Sequence, residues 1–101
     1  MSKQSSGLLG EFADKAIAWS NAHVIPGREN ESHVWRMDDF GSLIRWDDHG
    51  DRNSPYGWEI DHVPPLGLGF APNRRTRALH WRHNAQLGGL LGAWLKGTKA
   101  S

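Results

Sequence analysis

The chain of 101 residues contains no cysteine, which excludes disulfide bonds and any structural zinc held by thiolates. Its formal net charge is only +1, so the overall charge balance does not predict a nucleic-acid partner. No apolar run reaches transmembrane length, and the first residues lack the basic-then-apolar order of a signal peptide. We therefore predict a soluble, cytoplasmic domain with no membrane partner and no small-molecule cofactor.

Tryptophan, in contrast, is abundant, with six residues in this short chain. Their large apolar side chains are expected to supply much of the core of one compact domain. We predict that residues 7–97 form this domain, with flexible segments at residues 1–6 and 98–101.

The hydrophobic pattern predicts an α+β fold with a helix at each end. Apolar residues recur at helical spacing in residues 7–21 and again beyond Arg82, where we expect a helix that ends at Gly97. Alternating or aromatic-rich runs predict four short strands, at residues 33–38, 43–46, 58–62 and 78–81.

Residues 47–55 are rich in Asp, Gly, Asn and Ser, which is typical of an exposed loop. Several carboxylates and a histidine in this loop also allow a calcium site. The spacing of an EF-hand and its closing glutamate are both missing, so a solvated turn is the favoured interpretation.

The most informative stretch is residues 56–84, where a strand ends in Asp61 and His62, and a return strand leads into a helix. Asn84 falls near the start of that helix. Carboxylate and amide oxygens suit a hard divalent cation, and an imidazole suits a general base near neutral pH. Plainer interpretations remain open, since Asp61 and His62 also fit a surface pair and Asn84 fits a helix N-cap.

Basic and imidazole side chains flank this candidate site. The concentrated basic patch of the chain consists of Arg74, Arg75, Arg77 and Arg82. These arginines fit either a solvated loop or contacts to nucleic-acid phosphates. His80 and His83, with His62, raise a rival zinc or nickel site, although we expect at most an accessory contact from one of them.

Three runs of sequence carry a resemblance to a known family. They are Trp35-Arg36-Met37-Asp38 followed by Gly41, the run Asn53-Ser54-Pro55-Tyr56-Gly57-Trp58-Glu59-Ile60-Asp61-His62, and Leu79-His80-Trp81-Arg82-His83-Asn84. Over residues 34–88 the chain resembles a family of small bacterial and phage HNH endonuclease-like proteins.

This resemblance implies a single HNH-like domain with a ββα-metal core, to which the N-terminal helix and a short extra hairpin are added. The implied activity is metal-dependent hydrolysis of phosphodiester bonds in DNA. The implied roles are Asp61 and Asn84 as metal ligands and His62 as the general base. One divalent ion is implied, Mg²⁺ first, with Mn²⁺, Ni²⁺ and Zn²⁺ as others.

The chain departs from the family pattern around the site. Arg75 stands where the family has an Asn that braces the hairpin, and Asn73 replaces it only if the loop changes register. We expect Arg75 to point toward phosphate, with the bracing lost or taken over by another residue. Leu87 replaces a lysine, and Phe40 replaces a cysteine. The alternatives to an endonuclease are therefore a catalytically silent HNH-fold module for nucleic-acid binding or assembly, and a His-based metal-binding protein.

Overall fold

The computed structural model describes the backbone of residues 7–100 and the side chains of residues 7–94 and 96. Its elements, in chain order, are helix α1 (Leu8–Ser20), strands β1 (Trp35–Met37) and β2 (Leu43–Arg45), strands β3 (Trp58–Val63) and β4 (Arg75–His80), and helix α2 (Trp81–Ala100). The strands form two antiparallel hairpins, β1–β2 and β3–β4. The predicted α+β class, N-terminal helix and additional short hairpin are confirmed.

Several predicted boundaries need correction. Strand β4 already begins at Arg75, and Trp81 is the first residue of α2 rather than the end of a strand. Helix α2 also continues past Gly97 to Ala100, because a glycine permits a helix end without imposing one. It thus includes residues 98–100, whose flexibility stays a prediction. The predicted flexible segment at residues 1–6 lies outside the described residues.

Within residues 7–100, neither helix combines the length and apolar character needed to cross a membrane.

The core is built around Trp58, which is completely buried at the start of β3. Its ring centroid lies 5.2 Å from that of Trp19 in α1 and 6.1 Å from that of Trp46. The indole N–H of Trp58 donates to the Arg45 carbonyl oxygen at 2.8 Å, so the buried polar atom is paired. The predicted role of tryptophan in the core is confirmed for Trp19, Trp46 and Trp58, whereas Trp94 is 60% exposed.

The β3–β4 hairpin has two faces with different neighbours. Its register pairs Ile60 with Ala78 and Asp61 with Arg77, and paired residues share a face. Ile60 and Ala78 pack in the core, whereas Asp61 and Arg77 face a pocket beside α2. The alternation of β3 therefore separates apolar packing from polar side chains on the α2 side.

A buried carboxylate connects the two hairpins. Asp38, in the turn after β1, has only 1% of its surface exposed. One of its oxygens accepts from the backbone N–H groups of Phe40 and Ser42, at 3.0 and 2.9 Å. Its other oxygen accepts from the backbone N–H of His80 at 3.0 Å. The β1–β2 turn is thereby attached to the junction of β4 and α2.

The chain also passes very close to itself at Gly57, just before β3. A Cβ atom at this position would lie 1.9 Å from the Asp51 carbonyl oxygen, which no real side chain tolerates. The Gly57 carbonyl oxygen accepts from the backbone N–H of Trp81 at 3.1 Å. A glycine is required here because the loop at residues 47–55 and the start of α2 meet at this backbone.

The loop at residues 47–55 uses its own carboxylates to close its turns. The Ser54 hydroxyl donates to Asp48 at 2.6 Å, and the backbone N–H of Asn53 donates to Asp51 at 2.9 Å. These contacts agree with the solvated-turn interpretation of this loop.

Replacing Asp38 with Ala is expected to destabilise the fold by about 3 kcal/mol, because three backbone N–H groups lose their acceptor. Urea unfolding measures the change. Asp47→Ala, at an exposed carboxylate, is the control and should cost less than about 0.5 kcal/mol. Equal stability losses in the two variants would contradict the role given to Asp38.

Candidate functional site

A pocket of about 430 Å³ lies between the β3–β4 hairpin and α2. Four of the predicted site residues contribute to its wall, namely Asp61, His62, Asn84 and the predicted phosphate-binding residue Arg77. The remainder of the wall is mostly apolar and consists of Val63, Pro65, Leu87, Gly88, Leu90 and Leu91. The structure therefore brings the predicted carboxylate, imidazole and amide to one pocket.

Within this pocket Asp61 and His62 start from opposite faces of β3. Asp61 is paired with Arg77, whereas His62 is paired with Thr76, and successive side chains of a strand alternate. Because both residues nevertheless contribute to the pocket wall, a group that contacts both must lie at the edge of the strand.

The orientation of Asn84 is set by Glu59. The Asn84 side-chain nitrogen donates to Glu59 Oε1 at 2.7 Å. A carboxylate only accepts hydrogen bonds, so the amide nitrogen must face Glu59 and the amide oxygen is left for another partner. Arg52 donates to both oxygens of Glu59, at 2.6 and 2.8 Å, and holds this carboxylate in place.

Glu59 was missed in the sequence analysis. The alternation of β3 offered a signal, because Glu59 lies two residues before Asp61 and therefore on the same face. The hydrogen bond from Arg52 lowers the pKa of Glu59 below its ordinary value, and the bond from Asn84 adds to this effect against the opposing effect of burial. Glu59 thus remains a carboxylate while it positions the amide.

The N-cap interpretation of Asn84 is wrong, because α2 begins earlier than predicted. Its cap is His80, whose Nδ1 accepts from the backbone N–H of Arg82 at 3.1 Å. His80 Nε2 donates to the Pro55 carbonyl oxygen at 2.8 Å. Asn84 instead lies in the first turn of the helix, where its side chain is available to the pocket.

The same contacts correct the accessory role considered for His80. This residue is 5% exposed and both of its ring nitrogens are engaged, so it has no nitrogen left for a metal. His83 hydrogen-bonds the Ser42 hydroxyl at 2.7 Å and packs against the Phe40 ring. Among the described residues, no three His, Cys, Asp or Glu side chains come together as metal ligands.

Of the four predicted arginines, Arg74 braces the loop between β3 and β4. Its guanidinium donates to the carbonyl oxygens of Pro64, Pro65 and Gly69. Arg74 thus braces this loop, which agrees with one of the two alternatives considered for the bracing, whereas Asn73 is exposed.

The other arginines differ in exposure. Arg75 and Arg82 are exposed, and the Arg82 guanidinium lies 5.1 Å from the centre of the Trp81 ring. Arg77 is mostly buried and forms ion pairs with two carboxylates, Asp61 and Asp39, each at 2.9 Å. Arg75 and Arg82 are thus the members of the predicted patch that remain accessible to a phosphate.

The ion pair between Arg77 and Asp39 favours the charged form of both side chains. Burial raises the pKa of Asp39, but hydrogen bonds from Arg77 and His23 outweigh it and hold this pKa below its ordinary value. Burial likewise lowers the pKa of Arg77, but its bonds to Asp39 and Asp61 outweigh that effect and raise it. The pocket wall therefore carries a fixed positive charge beside Asp61.

Comparison with known proteins identifies no relative of this chain. No family model, curated protein or solved structure matches it significantly. Functional inference consequently depends on the geometry of the pocket and on the sequence resemblance over residues 34–88.

The stabilising effect of the Glu59 carboxylate should depend on pH. Because its pKa in the fold lies below the ordinary value of 4.5, the stability it adds is present above about pH 4.5 and lost as the pH falls further. Urea unfolding between pH 3 and 7 measures the free energy of unfolding of the wild type and of Glu59→Gln. The difference between the two proteins should become smaller as the pH falls below about 4.5. A difference in the free energy of unfolding that stays constant over this pH range would refute the assignment.

Proposed function

We propose that the protein is a metal-dependent DNA endonuclease of HNH type, which hydrolyses phosphodiester bonds. The observation that carries the proposal is the convergence of Asp61, His62 and Asn84 on one pocket between a hairpin and a helix. The order of β3, β4 and α2, strand–strand–helix, is also the order of elements in the ββα-metal core that the resemblance implies.

The residues of the pocket fit a hard divalent cation. Asp61 offers a carboxylate, and Asn84 offers the amide oxygen that its bond to Glu59 leaves unused. Two protein oxygens are sufficient for Mg²⁺, which usually retains several waters and binds substrate phosphate as well. When bound, the ion supplies charge stabilisation at the phosphate and at the leaving 3′-oxygen. Mn²⁺, Ni²⁺ and Zn²⁺ are the other ions to compare.

His62 is the residue proposed to move a proton. Its imidazole accepts the proton of the attacking water, and the resulting hydroxide attacks phosphorus opposite the leaving oxygen. Its position at the strand edge allows contact with a water that also approaches a phosphate beside Asp61. Because a side chain activates the water, one metal ion is sufficient for this mechanism.

DNA is the proposed partner, and its backbone is the proposed point of contact. Arg75 at the start of β4 and Arg82 in the first turn of α2 are exposed. Contacts to phosphate position a duplex without reading its bases, so weak sequence preference is expected.

A catalytically silent HNH-fold module that binds nucleic acid is the second candidate. The specific observation in its favour is the ion pair between Arg77 and Asp61, which occupies an oxygen of the proposed metal ligand. The leucine at position 87 in the pocket wall is a second departure from a phosphate-binding surface.

Plasmid nicking distinguishes the two candidates. The purified protein should nick supercoiled plasmid with Mg²⁺ or one of the other three ions, and a chelator should abolish the activity. His62→Ala should reduce the rate by about 100-fold or more, since it removes the general base. The exposed histidine His33 provides the control, because His33→Ala should leave nicking unchanged.

The same assay defines the failure of the endonuclease proposal. DNA binding that weakens with salt, together with no nicking under any of the four ions, would identify the silent module. Calorimetry then separates roles within the site. Asp61→Ala should weaken metal binding sharply, whereas His62→Ala should leave it nearly unchanged.

Contact between Arg75 and phosphate is tested by the salt dependence of DNA binding. Arg75→Ala should weaken binding and reduce the slope of log K against log salt by about one counterion. Arg28→Ala removes an equal charge from a surface ion pair with Glu31 and should leave the slope unchanged. An unchanged slope for Arg75→Ala would identify this arginine as a solvated loop charge.

A further inference from the structure

Arg77 lies between two carboxylates at the mouth of the candidate site. Its Nε atom donates to Asp61 Oδ2 and its Nη1 atom donates to Asp39 Oδ2, each at 2.9 Å. The side chains of Arg77, Asp61 and Asp39 are 16%, 20% and 30% exposed, respectively. These ion pairs are therefore partly shielded from water and are screened less by salt than exposed pairs.

The guanidinium of Arg77 already supplies a positive charge beside Asp61 in the absence of a metal ion. It engages the oxygen Oδ2 by a charge-assisted hydrogen bond and neutralises the carboxylate proposed to hold a metal. A divalent ion that binds Asp61 would lie close to this positive charge. Repulsion between the guanidinium and the divalent ion is strong in a partly buried site. We therefore expect that Asp61 binds either the guanidinium or the ion, and not both at the same time.

Asp39 gives Arg77 a second anchor that does not depend on Asp61. The bond to Asp39 uses a different guanidinium nitrogen, and His23 donates to the other Asp39 oxygen at 2.7 Å. The ring of Phe40 also lies 5.7 Å from the guanidinium carbon. Loss of the contact with Asp61 would therefore break one of two ion pairs and leave Arg77 attached beside the pocket.

We propose that Arg77 is a positioning residue that exchanges with a hard divalent cation at Asp61 and remains attached to Asp39 when the cation binds. The inference rests on the proposed function, since it concerns the same metal ligand. Its consequence is that cation affinity is set by competition with Arg77. The released guanidinium then lies next to the place of a substrate phosphate, as a counter-charge for it.

Calorimetric titration with Mn²⁺, in the absence of DNA, tests the competition. Arg77→Gln should lower the Mn²⁺ dissociation constant by about tenfold, because the competing cation is gone. Arg75→Gln is the matched control, since Arg75 lies two residues away on the same face of β4, is exposed and does not contact Asp61. It should change the constant by less than about twofold, because the charge it removes is screened by solvent and salt.

A second measurement uses the unmodified protein and does not depend on the folding of a variant. In nitrogen–proton NMR spectra, the Nε–H signal of Arg77 should shift during titration with Mg²⁺. The midpoint of this shift should coincide with the midpoint of Mg²⁺ binding. The Nε–H of Arg74, which donates to the Pro64 carbonyl oxygen at 2.8 Å, is an internal reference and should move little.

The outcomes separate this inference from the proposed function. Cation binding with equal affinity in the wild type and Arg77→Gln, and with a stationary Arg77 signal, overturns the exchange and leaves the endonuclease proposal intact. Absence of Mn²⁺ binding in both proteins overturns the exchange and also removes the metal site from the proposed function. Mn²⁺ binding that is tighter in Arg77→Gln but not in Arg75→Gln, together with a shift of the Arg77 Nε–H signal in the wild type, supports the exchange.

Discussion

The buried carboxylate of Asp38 is the contact on which the arrangement of the other elements depends. A carboxylate accepts hydrogen bonds and cannot donate them, and here it accepts from backbone N–H groups in the β1–β2 turn and at His80. The His80 N–H would otherwise be buried without a partner, so the first hairpin cannot move away from the start of α2 without the loss of a buried hydrogen bond. The direction in which α2 leaves β4, and with it the wall of the pocket, is fixed by this attachment.

The polar side chains of the pocket are oriented by neighbours that do not belong to the proposed chemistry. Glu59 holds the amide of Asn84, and Arg74 holds the loop that leads from β3 to β4. These contacts involve charged groups and are partly buried, which makes them stronger than the same contacts at an open surface. The site is therefore specified as much by its supporting residues as by the three residues that resemble a catalytic set.

Local pattern was sufficient to predict the elements and their order. The alternation around Ile60 and the helical spacing after Arg82 each depend on a few adjacent residues, and both hairpins and both helices are present. The presence of Asp61 and Asn84 in the wall of one pocket was also predictable, because a hairpin followed directly by a helix returns the chain to the same place. Whether these residues perform catalysis stays a prediction.

Contacts between distant residues were not predictable in this way. Arg77 meets Asp39 across 38 positions of sequence, and no local pattern encodes that ion pair. The start of α2 at Trp81 coincides with a backbone hydrogen bond from Trp81 to Gly57, a contact across 24 positions that no local pattern encodes. The bracing of the loop by Arg74 was not predictable either, since its partners are backbone carbonyls that come together only in the folded loop.

The hydrogen bonds of His80 have a consequence for the chemical form of its ring. The Pro55 carbonyl can only accept, so the ring proton must be on Nε2, and the Arg82 amide can only donate, so Nδ1 must carry a lone pair. The two hydrogen bonds thus give opposite roles to the two nitrogens of one ring. The beginning of α2, next to Asn84, is consequently fixed by a side chain that accepts from the helix and donates to the loop at residues 47–55.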